Sequence, residues 1–281
     1  MSRAPHAKLY IWTELRSRST VLLRCLSNIK NSFAFLEPYQ YIAISGPSNE
    51  RQSEVRINFG LVKEYNSWSR KHVKDSIENY HKTSHVIVKD IADSLGGDYS
   101  LIPENAVNII LIRHPAKCID SLIKLTDEDI GLQSRVASIK ERLHMPHYSH
   151  KAMLKLYAFL KDNNRPVAVV DSNDLAVDPE EVVKFICEYS GLPFTREMLT
   201  WESLPPDVLP SNWVIPNGYE DLRVLFNPCE VASISTNFMF KPDPETFNLS
   251  GMHPVCLEYI EETLPSYEDL LKLKQNFNQH R

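Results

Sequence analysis

No apolar run in this 281-residue chain approaches the length of a membrane span. The first, in "KLYIW", is also far too short for a signal-peptide core, so neither a secretory leader nor a Golgi-type membrane anchor is expected. Nor is there an excess of base. Thirty-six acidic against thirty-one basic residues leave a net charge of −5, which excludes the broad positive field that grips nucleic acid non-specifically. Any anion site must therefore be local. The five cysteines (Cys25, Cys118, Cys187, Cys229, Cys256) form an odd set without C-x-x-C spacing, so free thiols in a reducing, cytoplasmic setting are expected rather than a disulfide framework. Repeats and low-complexity tracts are missing too.

What is present, 43% apolar and 24% charged residues, suffices to bury one sizeable core. Short apolar runs alternate with helix-period segments: "KLYIW" then "TVLLRCLSNI", "FAFLEP", "HVIVKDI", "NIILIRHP" then "AKCIDSLIKL", and "PVAVVDSNDL" then "PEEVVKFICEYSGL". This alternation predicts an α/β domain of parallel strands and crossover helices. Unbroken apolar character in "NIILI" and "VAVV" predicts strands covered on both faces, and ligands should gather at the strands' carboxyl ends. Residues 45–83 and 127–164 break the pattern and are expected to be helical insertions beside the sheet. Past Leu192 the chain is proline-rich and irregular, ending in helix near "CLEYIEETL" and "YEDLLKLKQNF". One domain over residues 1–281 is expected.

The stretch "WTELRSRSTVLLRCL" passes from strand to helix through arginines and hydroxyls without a glycine. A strand running into a helix N-terminus over Ser17 to Val21 offers unpaired N–H groups and a positive dipole end, so the turn suits a phosphate-like anion. Arg16 supplies fixed charge, and Ser17, Ser19 and Thr20 supply hydroxyl donors. Neither the glycine nor the lysine of G-x-x-x-x-G-K-[ST] is present, which argues against an ATP-dependent kinase. The plain alternative is a capped amphipathic helix with solvated arginines. A second anchor lies in "NIILIRHPAKCIDSLIKL", where Arg113 ends an apolar strand and Ser121 follows in the next helix, placed to close on one phosphate.

Together, in this order, the two segments resemble the 3′-phosphoadenylyl sulfate (PAPS)-dependent sulfotransferases. "LRSRSTVLL" is similar to that family's P-R-S-G-[ST]-T-x-L loop for the 5′-phosphosulfate, and "LIRHPAKCIDSL" to its R-[ND]-P-x-D-x-x-x-S motif for the 3′-phosphate. "VVDSNDLAVDPEEVVKFICEYSGLPF" resembles its strand, acidic loop, proline and helix, while "FLEPYQ" and "VIVKDIADSL" resemble its bacterial and plant carbohydrate-type branches. The resemblance covers about residues 8–195 and leaves 196–281 as a C-terminal pocket region. It implies a three-layer sandwich with a central parallel sheet, a P-loop-like nucleotide site and helical insertions forming the acceptor pocket. Arg16, Ser17, Arg18, Ser19, Thr20 and Val21 would then cradle the phosphosulfate, with Arg16 stabilising the leaving phosphate, and Arg113 and Ser121 would bind the 3′-phosphate. The reaction implied is sulfuryl transfer from PAPS to a small hydroxylated metabolite, releasing PAP, without a metal; a P-loop small-molecule kinase and a non-catalytic nucleotide-binding module are the alternatives. Departures are Leu15 for the proline, Arg18 for the loop glycine, and Ser172 for an aromatic residue that stacks on adenine in many relatives. Arg18 requires a turn that avoids positive φ. The C-terminal R-K-G-x-x-G-D-W-K loop of the cytosolic steroid and phenol branch has no match.

A base must sit beside the phosphosulfate, and Glu37, Asp90 and His85 belong to strands expected to neighbour the first. His85 starts its strand and lies at the wrong end. Glu37 precedes Pro38, and a glutamate acts as base in relatives with a similar E-P; its plain reading is a partner for Arg16 or Arg18. Asp90 follows Lys89, and a Lys-Asp ion pair shaping the pocket is its plain reading. In "HMPHYSH", His144, His147 and His150 recur every three residues, yet Pro146 breaks the helix and no acidic or cysteine partner is suitably spaced, so a solvated junction or pocket rim is expected rather than a metal. Trp201, Trp213 and Phe238 read as core residues, with the acceptor pocket as their other role.

Overall fold

A computed structural model describes residues 6–45, 69–82, 84–125, 150–205 and 208–214, together with 236–238, 242–243, 247, 249–250 and 252–277. Six parallel strands form one sheet: β1 (Lys8–Thr13), β2 (Ser32–Leu36), β3 (His85–Ile91), β4 (Val107–Ile112), β5 (Val167–Asp171) and the short β6 (Trp213–Val214). Their order is β5-β4-β1-β3-β2-β6. Every residue of β1 and β5 is buried, as is all of β4 past Val107. Side chains alternate faces along a strand, so burial of successive residues means that both faces of the sheet are covered. The result is the expected α/β sandwich with a central parallel sheet.

The helices between the strands are α1 (Ser19–Leu26), α2 (Pro38–Ser45), α3 (Arg70–His81), α4 (Pro115–Leu125), α5 (His150–Asp162), α6 (Ser172–Val177) and α7 (Pro179–Ser190). Local signals explain α7 well: the Asp178 side chain accepts from Glu181 N, Pro179 opens the helix, and Gly191 closes it at φ 75°. The two expected terminal helices are one, α8 (Pro254–Lys272), which runs on through Pro265. It packs against α4, α5, β4 and β5. That packing outweighs the single backbone hydrogen bond that proline removes. A second small core of Ala116, Ile119, Leu122, Cys256, Tyr259 and Ile260 joins α4 to α8.

Trp201, Trp213 and Phe238 are buried, as their core reading requires. Cys25, Cys118, Cys187 and Cys256 are free and buried, while Cys229 lies outside the described residues. Of the two expected insertions, α3 and α5 are described; residues 46–68, 83 and 126–149 fall outside. Among the described residues, no helix is long and apolar enough to cross a membrane.

The strand order places the site. β1 and β4 are neighbours, yet the chain leaving β1 goes through α1 to β2 on one side, while the chain leaving β4 goes to β5 on the other. Diverging connections open a crevice at the carboxyl ends of that strand pair, where α/β sheets receive ligands.

Candidate functional site

The turn leaving β1 is held from inside. Ser17 Oγ donates to the Glu14 carbonyl at 2.9 Å and is hydrogen-bonded to Thr13 Oγ1, which also donates to Leu111 O of β4 at 3.1 Å. Ser17 is fully buried, so its hydroxyl serves the turn. Arg16 and Arg18 both take left-handed backbone, at φ 63° and 67°. This corrects the expectation that Arg18 avoids positive φ: the turn keeps a glycine-like shape without the glycine, at a cost of about 1–3 kcal/mol for each such residue. Arg18 is the N-cap of α1, and its side chain makes no capping bond. The first N–H groups of α1, from Ser19, Thr20 and Val21, therefore receive no side-chain cap from Arg18.

The second anchor meets this turn. Arg113, just past β4, donates through Nη1 to Arg16 O at 2.7 Å, and Arg16 Nε donates to Ser121 Oγ of α4 at 3.1 Å. Arg16, Arg113 and Ser121 thus come together, with Ser121 turned towards Arg16. The remaining Arg113 donors grip a carboxylate that the sequence did not single out: Nε and Nη2 reach Asp243 at 3.0 and 2.8 Å. Arg18 reaches the same Asp243 oxygen through Nη2 at 2.8 Å and gives Nη1 to Ser172 O at 2.8 Å. The guanidinium of Arg18 therefore belongs with Arg113, while its backbone belongs to the turn. Burial opposes ionisation of Asp243, but the hydrogen bond and charge of Arg113 and the charge of Arg18 hold its carboxyl below the ordinary range. Nearby, Ser172 Oγ is buried and has no hydrogen-bond partner among the described residues.

Across β3 stand the candidate bases. β3 lies between β1 and β2, so the strand of Glu37 is one removed from the first, and only that of Asp90 adjoins it. Glu37 takes φ 49° directly after β2, and its N–H donates to Lys89 O at 2.7 Å. Its Oε1 accepts from the Lys89 ammonium, both side chains being buried. Lys89 is therefore the partner of Glu37, which corrects both the Lys89–Asp90 pairing and the pairing of Glu37 with Arg16 or Arg18. Successive residues of a strand point to opposite faces, so Lys89 and Asp90 part company. Asp90 instead accepts from Tyr39 N at 2.6 Å, Gln40 N at 3.1 Å, Ile91 N at 2.7 Å and Ser94 Oγ at 3.0 Å, tying the start of α2 to β3. His85 sits at the amino end of β3, where its Nδ1 accepts from Ala7 N at 3.0 Å.

Beneath the crevice, His150 is fully buried, which corrects its reading as a solvated junction. Its Nε2 lies 2.9 Å from Arg113 O and its Nδ1 3.0 Å from Glu14 Oε2. The acidic neighbour that sequence spacing did not offer comes from the β1 turn. His144 and His147 lie outside the described residues. Among the described residues, no group of three or more His, Cys, Asp or Glu is placed to hold a metal ion.

Comparison with known proteins bears on this geometry. No family model matches the chain. Branched-chain-amino-acid aminotransferase-like proteins 2 and 1 of Arabidopsis thaliana are 26% identical over 270 residues and 24% over 271, each covering 93% of this chain. The chain spans only 41% of the length of either relative. Among solved structures, the sulfotransferase domain of the Synechococcus PCC 7002 olefin synthase aligns over 92% of this chain and 95% of its own, at 16% identity and a TM-score of 0.50. The chain has the sulfotransferase fold.

Proposed function

We propose that this protein moves a sulfuryl group from PAPS to a hydroxyl of a small-molecule acceptor and releases PAP. The observation that carries the proposal is the meeting of an uncapped helix start, Arg16, Arg113 and Ser121 in the crevice between β1 and β4, with two guanidiniums already gripping an anionic group. Ser19, Thr20 and Val21, with the backbone of Ser17 and Arg18, would hold the 5′-phosphosulfate through N–H groups and hydroxyls. Arg16 would stabilise charge on the leaving phosphate, and Arg113, Ser121 and the Arg18 guanidinium would take the 3′-phosphate. The fit is chemical: the donor's phosphate groups need cationic and N–H donors, which Arg16, Arg18, Arg113 and the start of α1 supply, and the buried Ser172 hydroxyl, without a hydrogen-bond partner among the described residues, stands beside Arg18. The donor supplies an activated sulfuryl group; the chain's residues align it, exclude water and move one proton.

Glu37 is the base in this reading. One of its oxygens is engaged by Lys89, leaving the other for the acceptor's proton, whereas both Asp90 oxygens are engaged by backbone and hydroxyl donors. The aminotransferase in the names of the Arabidopsis relatives is a property of much longer proteins and is not carried onto this chain. The net charge of −5 favours a small hydroxylated acceptor over a polysaccharide.

Titration with PAP tests the reading. PAP should raise the melting temperature strongly and ATP with magnesium weakly; an unmoved transition with PAP defeats it. Turnover of radiolabelled PAPS against a panel of alcohols then separates an enzyme from a nucleotide-binding module.

A further inference from the structure

The cradle that this function assigns to the 3′-phosphate is filled by the protein itself. Asp243 receives three charged hydrogen bonds there, two from Arg113 and one from Arg18, in the bidentate manner in which guanidiniums hold phosphate. Its backbone is fastened too: Asp243 N donates to Asn173 Oδ1 at 2.6 Å, and a few residues on Phe247 stacks on His114 with ring centroids 4.0 Å apart. The pairing spans 130 residues and brings the C-terminal region onto the β4 and α6 side of the crevice.

We propose that the Asp243 carboxylate is an internal stand-in for the nucleotide's 3′-phosphate, occupying the Arg18 and Arg113 cradle in the free protein and leaving it when PAPS or PAP binds. The inference rests on the donor-binding reading above and adds a gate to it. Charge balance supports the exchange. Without an anion, two guanidiniums would face each other in a half-buried pocket, and Asp243 removes that repulsion. A dianionic phosphate entering beside a retained aspartate would meet one net positive charge where the empty cradle offers two, so both anions cannot be held well. An aspartate side chain is a single methylene long, so turning about Cα–Cβ with the backbone fixed on Asn173 leaves its carboxylate within a few ångströms of the volume a phosphate needs. The displacement we propose therefore includes release of the Asp243 backbone from Asn173. A nucleotide lacking the 3′-phosphate has no need to displace it, so the gate favours donors that carry that group.

The test compares wild type with Asp243→Asn by calorimetry, using PAP and adenosine 5′-phosphosulfate, which lacks the 3′-phosphate. If the cradle is open about a tenth of the time in wild type, Asp243→Asn should bind PAP about tenfold more tightly, because apparent affinity scales with the competent fraction. Affinity for adenosine 5′-phosphosulfate should stay within about twofold of wild type on the same argument. PAP affinity that is unchanged or weaker in the variant, with wild type binding PAP well, overturns the gate and leaves the donor reading standing. Failure of both proteins to bind PAP overturns both. Should Asp243→Asn not fold, hydrogen exchange on wild type decides: PAP must speed exchange at the Asp243 amide, and continued protection under saturating PAP refutes displacement.

Discussion

Glu37→Gln removes a charge without changing shape, and its two consequences can be separated. The first falls on stability. The Lys89 and Glu37 side chains are 2% and 4% exposed, so the substitution leaves a buried ammonium facing a neutral amide. Breaking a buried ion pair typically costs about 3–5 kcal/mol, and the retained carbonyl acceptor places this case at the lower end. The backbone strain at φ 49° is the same for both residues and cancels. The second consequence falls on rate: loss of a general base costs roughly 10²–10⁴-fold, equivalent to about 3–5 kcal/mol of barrier. The two do not mimic each other. A domain with about 5–15 kcal/mol of stability that lost 5 would still be at least half folded, and turnover would fall at most about twofold from unfolding. Turnover at saturating PAPS and acceptor should therefore drop roughly a hundredfold or more while PAP affinity holds and the urea midpoint falls. Turnover within about threefold of wild type in a folded, PAP-binding variant refutes the assignment. If Asp90→Asn is then inactive, the base is Asp90.

Arg113→Ala should weaken PAP binding by roughly 2–3 kcal/mol, tens to hundreds-fold, while leaving the acceptor's KM nearly unchanged; unchanged PAP affinity in calorimetry would place the 3′-phosphate elsewhere. Activity should persist in EDTA, because Arg16 and the start of α1 supply the positive charge that magnesium supplies in kinases; loss on chelation, restored by one divalent ion, would overturn this. Burial pushes the Asp90 carboxyl from the ordinary 3.8 up to about 7, against the Tyr39 N–H and with help from the Glu37 charge. Folding thus favours protonated Asp90, so its contribution is complete below about pH 4 and is lost as pH rises through 7. Urea midpoints should fall from pH 5 to 7.5 more steeply for wild type than for Asp90→Asn, and parallel profiles would remove the effect.

The sequence announced most clearly what local patterns encode. "NIILI" and "VAVV" read as fully buried strands because a doubly covered sheet needs unbroken apolar runs, and Asp178, Pro179 and Gly191 bracket α7 with standard end signals. β6 escaped because two residues, Trp213 and Val214, make no run, and α2 because "PYQYIAIS" is apolar all round and shows no helical face. In the site, Arg16, Arg113 and Ser121 were legible from their positions at strand and helix ends. Asp243 and Glu14 were not. Asp243 meets Arg18 across 225 residues, and Glu14 meets His150 through the fold alone, so no periodicity can report either. The positive φ of Arg18 was read wrongly because backbone preference is a local bias that a surrounding turn, pinned by Thr13 and Ser17, can override.

The central place of β1 has a consequence for synthesis. Its partners are β3 and β4, which begin at His85 and Val107, so a ribosome must extend the chain by about eighty residues before Leu9, Ile11 and Trp12 gain a first partner and by about a hundred before they gain the second. At roughly 5–20 residues per second, that strand spends on the order of 5–20 s as unpaired apolar chain. The nascent polypeptide is then a natural client for chaperones. Changes that slow elongation between α1 and β4 should raise aggregation during expression while leaving the stability of the finished protein untouched.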